Sequence, residues 1–190
     1  MTASCKPTPA RCAAFTEERP LPLSEHAAVY DQERAELVVF GGTDSVPVSC
    51  MIGGPTRYLF NTWVYDDACS KWLRVQGQSP SPSGRHMAAF GDGSMWVFGG
   101  RFRDAMQASG PYEIYDDLAR FDVAAREWHA VDVPGTRPAP RTSGALAWDG
   151  KRHELWLFGG NLSADGAVYQ PSADVWTFDP KKVAWTEQHP

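Results

Sequence analysis

The feature that most constrains this chain is a pattern that occurs three times. An apolar segment closed by two glycines reads ELVVFGG at 36–42, SMWVFGG at 94–100 and ELWLFGG at 154–160. The glycine pairs are 58 and 60 residues apart. A period of this kind indicates a chain built from copies of one supersecondary unit, and missing it would mis-assign the whole fold.

Two further features share the period. A segment of small residues precedes each glycine pair, as HAAVYD, HMAAFG and GALAWD. After each pair comes a polar loop and then an aromatic residue followed by Asp, with a Trp seven positions after the aromatic. These aromatic pairs are Tyr65/Trp72, Phe121/Trp128 and Phe178/Trp185. Three coincident features make the repeat far more specific than a glycine doublet alone.

Each unit is predicted to form four short strands, because β-rich alternation dominates and turn residues separate the segments. The doublets supply backbone freedom where the chain turns sharply; they are Gly41, Gly42, Gly99, Gly100, Gly159 and Gly160. The aromatic and the Trp of a unit can meet across a turn and pack between sheets. A four-stranded sheet cannot bury both faces alone, so sheets stacked around an axis are expected, as in a propeller.

The pattern resembles the kelch-repeat family, whose marks are the doublet after an apolar strand, the aromatic-Asp and the spaced Trp. The resemblance covers about residues 20 to 189 and implies an all-β, kelch-type β-propeller with three four-stranded blades. We expect a flexible N-terminal lead-in and three blades, at 1–19, 20–80, 81–137 and 138–190. The family's Pro-Arg before the first strand is clearest at Pro140-Arg141, whereas the first unit has Leu23-Ser24-Glu25 there.

The number of units is the largest departure from the family. Propellers close with about four to eight blades, so three blades form only a half or partial ring. Apolar faces of the two end blades would then lie open to water. The expected remedies are a homodimer of two three-blade copies, completion by another chain, or further blades of a longer protein.

Composition excludes several classes of function. The formal net charge is −5, from 18 Lys+Arg and 23 Asp+Glu, which argues against a general nucleic-acid binder. No run of eighteen apolar residues occurs, so no membrane span is expected. The N-terminus lacks an apolar signal segment, which favours a cytoplasmic location.

The cysteines are expected to be free thiols in a reducing compartment, with a disulfide pair as the main alternative. They are Cys5, Cys12, Cys50 and Cys69, and no CxxC pair occurs.

Metal and cofactor sites are not expected. His26 and His86 occupy equivalent positions and could share a metal, but the third unit has Gly144 there, so packing roles are favoured. The Asp residues that follow an apolar or aromatic position in the repeat are predicted to form turns by accepting bonds from nearby backbone N–H groups; they are Asp31, Asp66, Asp122, Asp149 and Asp179.

Catalysis is the alternative function that the resemblance leaves open. Galactose oxidase is an enzyme relative among kelch-like propellers, and its copper site would require Tyr and His ligands and a Cys joined to a Tyr. No segment here matches such a site by position, so no catalytic residue is assigned. A third possibility is a structural subunit that completes another propeller.

The favoured function is a non-catalytic interaction module that binds a protein or peptide through its loop face. The loops at 43–60, 101–116 and 161–173 are long, and long loops are often functional. They carry Tyr and Arg, the residues that most often anchor interfaces. By resemblance, polar residues before the first strands add to this surface. The candidate partner-binding residues are Arg57, Tyr58, Arg85, Arg101, Arg103, Tyr112, Thr142, Ser143 and Tyr169.

Overall fold

The computed structural model describes residues 10–16, 18–44, 57–81, 83–107, 110–165 and 168–189. Within these ranges twelve strands form three antiparallel four-stranded sheets, and strand order in each sheet follows the chain. Two short 3-10 helices, Ala10–Ala14 and Ala105–Gln107, are the other regular elements of the described residues. The architecture is all-β, and the three sheets are blades of a partial propeller, as the sequence predicted.

The strands of each blade run outward from the innermost one. Blade 1 consists of β1 Ala27–Asp31, β2 Glu36–Phe40, β3 Thr62–Asp66 and β4 Lys71–Arg74. Blade 2 consists of β5 Met87–Gly91, β6 Ser94–Phe102, β7 Glu113–Asp122 and β8 Glu127–Val131. Blade 3 consists of β9 Ala145–Asp149, β10 Glu154–Asn161, β11 Pro171–Asp179 and β12 Ala184–Gln188. The innermost strands β1, β5 and β9 pack side by side.

Aspartates close the hairpins in the way that the repeat predicted. Asp31, Asp122, Asp149 and Asp179 each accept hydrogen bonds at Oδ1 from the backbone N–H groups two and three positions further on. Asp66 accepts one from the N–H three positions on. A carboxylate satisfies the free donors of a tight turn, which fixes the hairpin geometry.

Tryptophans of blades 2 and 3 fill the space between neighbouring blades. The Trp128 ring lies 4.7 Å from that of Phe40 in blade 1, and its Nε1 donates to Thr62 Oγ1 at 2.8 Å. The Trp185 ring lies 5.3 Å from that of Phe98 in blade 2. Each junction therefore has its own apolar core, built from facing sides of two sheets.

Within the described residues no blade precedes blade 1, so Trp72 has no neighbouring blade to contact. The Trp72 ring packs within blade 1, 5.2 Å from Tyr65 and 6.4 Å from Trp63. On the outward faces of the end blades, Tyr30 is 47% exposed and Phe158 is 56% exposed. The arc is thus open at both ends, and each end shows aromatic surface.

The N-terminal segment is fastened to the outer edge of blade 1. Cys12 and Cys69 form a disulfide with Cα atoms 5.5 Å apart. Phe15 is buried, and the backbone of Thr16 pairs with that of Trp72. The prediction of free thiols is therefore wrong for Cys12 and Cys69. The segment folds back onto β4 and brings together two cysteines that are 57 positions apart in sequence.

The remaining sequence predictions about this region stay open. Cys5 and Cys50 lie outside the described residues, as does most of the 43–60 loop. The boundaries of the lead-in and of the three blades remain a prediction.

Among the described residues, no helix is both long and apolar enough to cross a membrane.

Candidate partner-binding surface

The glycine doublets direct the candidate loops to one end of the blades. Gly41 and Gly42 have φ of 65° and 88°, values that glycine adopts without strain. A Cβ added to Gly42 would lie 2.6 Å from the carbonyl oxygen of Ser24, so the close approach also excludes a side chain. Because β2, β6 and β10 all reach a doublet at the same end, their loops emerge together there. We call this the loop end of the arc.

Three residues at equivalent repeat positions, one from each blade, are joined by backbone hydrogen bonds at the loop end, and we call this arrangement the step. Glu25, Arg85 and Ser143 all have positive φ, at 57°, 55° and 57°. The Ser143 N–H donates to the Arg85 carbonyl, and the Arg85 N–H donates to the Glu25 carbonyl, both at 2.9 Å. The repeat thus places one residue of each blade in register, with its side chain free to differ.

Glu25 is the centre of the polar contacts between blades 1 and 2. Its Oε1 accepts from Arg85 Nε at 2.8 Å and from Arg101 Nη2 at 2.7 Å. Its Oε2 accepts from the Tyr58 hydroxyl at 3.3 Å. A single carboxylate therefore orients two guanidinium groups and a phenol that come from separate loops.

Tyr112 is held between two arginines beside this centre. The guanidinium carbons of Arg101 and Arg103 each lie 4.2 Å from the Tyr112 ring centroid. Such cation–π contacts stabilise both partners and fix their orientation. The Tyr112 N–H also donates to the Asp165 carbonyl at 3.0 Å, which joins the loops of blades 2 and 3. The six side chains of the Arg–Tyr surface are Glu25, Tyr58, Arg85, Arg101, Arg103 and Tyr112.

The electrostatics of this surface are dominated by positive charge. Burial alone would raise the pKa of Glu25, but the hydrogen bonds and charges of Arg85 and Arg101 outweigh it and hold that pKa below its usual range. Burial raises the pKa of the Tyr58 hydroxyl well above its usual range. Glu25 is thus ionised and Tyr58 neutral at physiological pH. The surface carries three guanidinium groups and one carboxylate, and two of the three guanidinium groups bind it.

One nitrogen of the surface lacks a partner. Arg101 Nε is buried and has no hydrogen-bond partner among the described residues. The Arg101 side chain is only 12% exposed, whereas that of Arg85 is 46% exposed. Arg101 therefore supports the surface from below, and Arg85 presents charge to solvent.

The structure brings the side chains of five of the nine predicted binding residues together, and the side chains of the other four are not part of this group. Arg57 is exposed and forms an ion pair with Asp44. Thr142 is buried, and its backbone pairs with that of Asn161. Ser143 is exposed on the step described above, and Tyr169 is 67% exposed on the loop of blade 3. A partner-binding role for any of these residues remains a prediction.

Sequence reasoning missed Glu25, which organises the surface. A signal was available, because Glu25 occupies the same repeat position as Arg85, and opposite charges at equivalent positions of adjacent blades can pair. The sequence showed that Leu23-Ser24-Glu25 stands where the family has Pro-Arg. It did not show which side chains would converge on Glu25.

His86 lies in the junction rather than in a metal site. Its ring is buried 5.2 Å from that of Phe40, and its Nδ1 is 3.2 Å from Ser83 Oγ. Burial lowers the pKa of His86 to about 4, so the imidazole is neutral. His26 is exposed. Within the described ranges no three His, Cys, Asp or Glu side chains are placed to hold one metal ion.

The junction between blades 2 and 3 uses its arginine differently. Arg141 is fully buried, and its guanidinium binds Asp174 through two bonds of 2.6 and 2.8 Å. Hydrogen bonding from Arg141 is the main cause that holds the pKa of Asp174 far below its usual range. The Arg141 charge is therefore neutralised inside the fold, whereas Arg85 beside Glu25 is 46% exposed.

Comparison with known proteins identifies the family. Residues 8–190 match the KLHDC2/KLHL20/DRC7 Kelch-repeats domain. The chain is 28% identical over 171 residues to Kelch domain-containing protein 2 of Bos taurus, covering 82% of this chain and 39% of that protein. It is 30% identical over 122 residues to Kelch domain-containing protein 10 of Xenopus tropicalis, covering 62% and 29%. It is 24% identical over 177 residues to Tip elongation aberrant protein 3 of Schizosaccharomyces pombe, covering 80% and 14%.

The chain belongs to the kelch-repeat family, because the family match extends over nearly its whole length. It spans less than half the length of each of these relatives. Membership supports a protein-interaction module as the general class of function.

Proposed function

We propose that the chain is a non-catalytic interaction module that binds a protein or peptide through the Arg–Tyr surface at its loop end. The observation that carries this proposal is the convergence of three arginines: Arg85 and Arg101 bind Glu25, and Arg101 and Arg103 lie against Tyr112. Arg and Tyr supply large contact area and several hydrogen-bond donors, so they dominate the energetically important positions of interfaces.

The charge of the surface favours a partner segment that carries carboxylates. Glu25 neutralises only part of the charge of the three guanidinium groups. The planar donors of an arginine bind a carboxylate through two parallel bonds, which gives orientation as well as affinity. An acidic segment would therefore gain contacts that a basic segment would lose by repulsion.

A display library of random peptides tests this proposal. We expect the parent protein to enrich acidic peptides, and the double variant Arg85→Gln/Arg103→Gln to lose them. Arg152→Ala is the matched control, since Arg152 is an exposed arginine in the hairpin at the opposite end of blade 3. Equal enrichment by the parent and the double variant would contradict the proposal.

The open ends of the arc support a second proposal, completion of the ring. In the two existing junctions a Trp of one blade lies against the Phe that precedes the doublet of the blade before it. Phe158 holds that Phe position in blade 3 and is 56% exposed, while Trp72 lies on the open face of blade 1. Two copies, with Trp72 of each placed against Phe158 of the other, would close a six-blade ring under two-fold symmetry.

Light scattering tests completion by a second copy. The chain has a mass of 21.0 kDa, so a dimer would measure about twice that value. Phe158→Glu should convert the dimer to the monomer, while Met106→Glu, at an exposed apolar residue in the loop of the middle blade, should not. A stable monomer of the parent chain would contradict both the homodimer and completion by other blades, because the chain would then cover its outer faces by itself.

The cytoplasm remains our proposed location, on the sequence argument alone. The Cys12–Cys69 disulfide weighs against it, because disulfides persist mainly in oxidising compartments. Alkylation of free thiols in intact cells, followed by mass spectrometry, decides the matter. Alkylated Cys12 and Cys69 are expected in a reducing compartment, and a protected pair would contradict the proposed location.

A further inference from the structure

A cavity at the rim of blade 2 forms a second candidate site at the loop end. Its volume is about 470 Å³, and it lies between the linker at 78–81 and the strands β7 and β8. Small-ligand sites commonly enclose about 300–1,000 Å³. None of the lining residues belongs to the Arg–Tyr surface, so the cavity is a separate feature.

About half of the lining of the cavity is apolar. Leu118 and Val133 are almost fully buried and form part of the floor, together with Val131. The indoles of Trp128 and Trp185 contribute two aromatic walls. An aliphatic chain can pack along such a floor, and an aromatic ring face attracts a cation.

The cavity also carries negative charge that its own arginine does not balance. Three carboxylates line it, and Arg137 Nε pairs with one of them, Asp116, at 2.9 Å. Asp117 and Asp132 form no hydrogen bond or ion pair among the described residues, although the charge of Arg137 also acts on Asp117. Partial burial raises the pKa of Asp117, the charge of Asp116 adds to it, and the charge of Arg137 lowers it. Asp117 and Asp132 are exposed to solvent, and one arginine, Arg137, faces three carboxylates of the lining.

We propose that this cavity binds a lysine or arginine side chain of a partner protein. The aliphatic stem would lie along Leu118 and Val131, and the charged head would contact Asp117. A cation with an aliphatic stem matches both parts of the site. Its stem covers the apolar residues, and its charged head forms a charge-assisted hydrogen bond with a carboxylate. A neutral apolar side chain would leave the carboxylates uncompensated, and an acidic one would be repelled.

Peptide titration observed by NMR tests this inference on the intact chain. The probes are N-acetylated, C-amidated Ala-Lys-Ala, its norleucine counterpart without the charge, and Ala-Glu-Ala. We expect the lysine peptide to shift the indole N–H signals of Trp128 and Trp185 saturably. Its Kd should be about tenfold lower than that of the norleucine peptide, as for one charge-assisted hydrogen bond. The glutamate peptide should produce no saturable shift.

Variants connect the binding to the cavity. Asp117→Asn keeps the shape but removes the charge, and it should weaken lysine-peptide binding about tenfold while leaving the norleucine peptide unchanged. Asp104→Asn is the matched control, since Asp104 is an exposed carboxylate of the loop end outside the cavity. Arg85→Gln/Arg103→Gln should leave lysine-peptide binding intact, which separates this inference from the Arg–Tyr surface.

Four results would overturn the inference. These are no saturable shift with the lysine peptide, equal affinity for lysine and norleucine, tighter binding of the glutamate peptide, and equal losses in Asp117→Asn and Asp104→Asn. Equal affinity for lysine and norleucine would indicate a site that needs only apolar contact. Equal losses in the two variants would indicate non-specific attraction to an acidic protein.

Discussion

Phe98 and Phe158 occupy the same position of the repeat, directly before a glycine doublet, yet one is buried and the other is not. Phe98 is 0% exposed, as is its blade 1 equivalent Phe40, whereas Phe158 is 56% exposed. Phe98 lies against Trp185 of the next blade. No described tryptophan lies against Phe158. The repeat fixes the residue and its strand, but the neighbouring blade decides its environment.

The largest expected effect comes from truncating the two phenylalanines. Phe98→Ala should lower the free energy of unfolding by about 3–5 kcal/mol, because it opens a cavity in the core between blades 2 and 3. Phe158→Ala in the same chain should cost less than about 1 kcal/mol if its face is open to water. Chemical denaturation measures both values. A comparable loss at Phe158 would show that this face is covered in solution.

The disulfide is found at one end of the arc, so removing it tests how much it stabilises that end. Blade 1 is tied to the N-terminal segment through Cys12 and Cys69, 57 positions apart, while blade 3 has no disulfide in its described residues. Cys12→Ser/Cys69→Ser should destabilise the fold by about 2–4 kcal/mol, because the unfolded chain regains conformational freedom.

Denaturation with and without reductant checks this prediction. Reductant should destabilise the parent chain to a similar extent and should have no further effect on the double variant. An unchanged unfolding midpoint of the parent after complete reduction would contradict the expectation.

Acid should weaken the junction between blades 1 and 2 more than the junction between blades 2 and 3. His86 lies in the former, and Gly144 occupies the equivalent repeat position in the latter. The folded pKa of His86, about 4, is below the ordinary value of 6.5, so the unfolded chain binds the proton more readily. The contribution of His86 to stability is therefore complete above about pH 6.5 and is lost as the pH falls towards 4. Between pH 7 and pH 5 the expected loss is about 2 kcal/mol.

Unfolding curves at several pH values isolate this effect. His86→Gln should show a smaller loss of stability between pH 7 and pH 5 than the parent. His129→Gln is the control at an exposed histidine and should retain the parent's dependence. Identical pH dependence in the parent and His86→Gln would refute the assignment.

The smallest expected difference concerns ion pairs across the junctions, away from the loop end. Arg126 binds buried Glu36 through two bonds of 2.8 and 2.5 Å, whereas His153 and Asp92 form an exposed pair. Arg126→Ala should cost about 1.5 kcal/mol, since it leaves a buried carboxylate without its partner. His153→Ala should cost about 0.5 kcal/mol or less. Equal losses by thermal unfolding would show that burial of Glu36 is unimportant.

Local chemistry made much of the fold predictable. The apolar segment before each doublet became a strand, the aspartates closed the hairpins, and Trp128 and Trp185 lie between blades. Each of these features depends on residues close in sequence or on a repeated position. Five of the candidate binding residues also converged, because the repeat places their loops at one end.

Strand periodicity and turn chemistry act over a few residues, so the all-β class, the strand segments, the three units and the end where the loops gather could be predicted from the chain alone. The packing of the sheets, by contrast, brings Cys12 to Cys69, places two arginines and a tyrosine around Glu25, and sets Asp117 at a partly apolar cavity. These contacts join residues from separate loops and blades. Their distances depend on how the sheets pack, which no local pattern in the chain encodes.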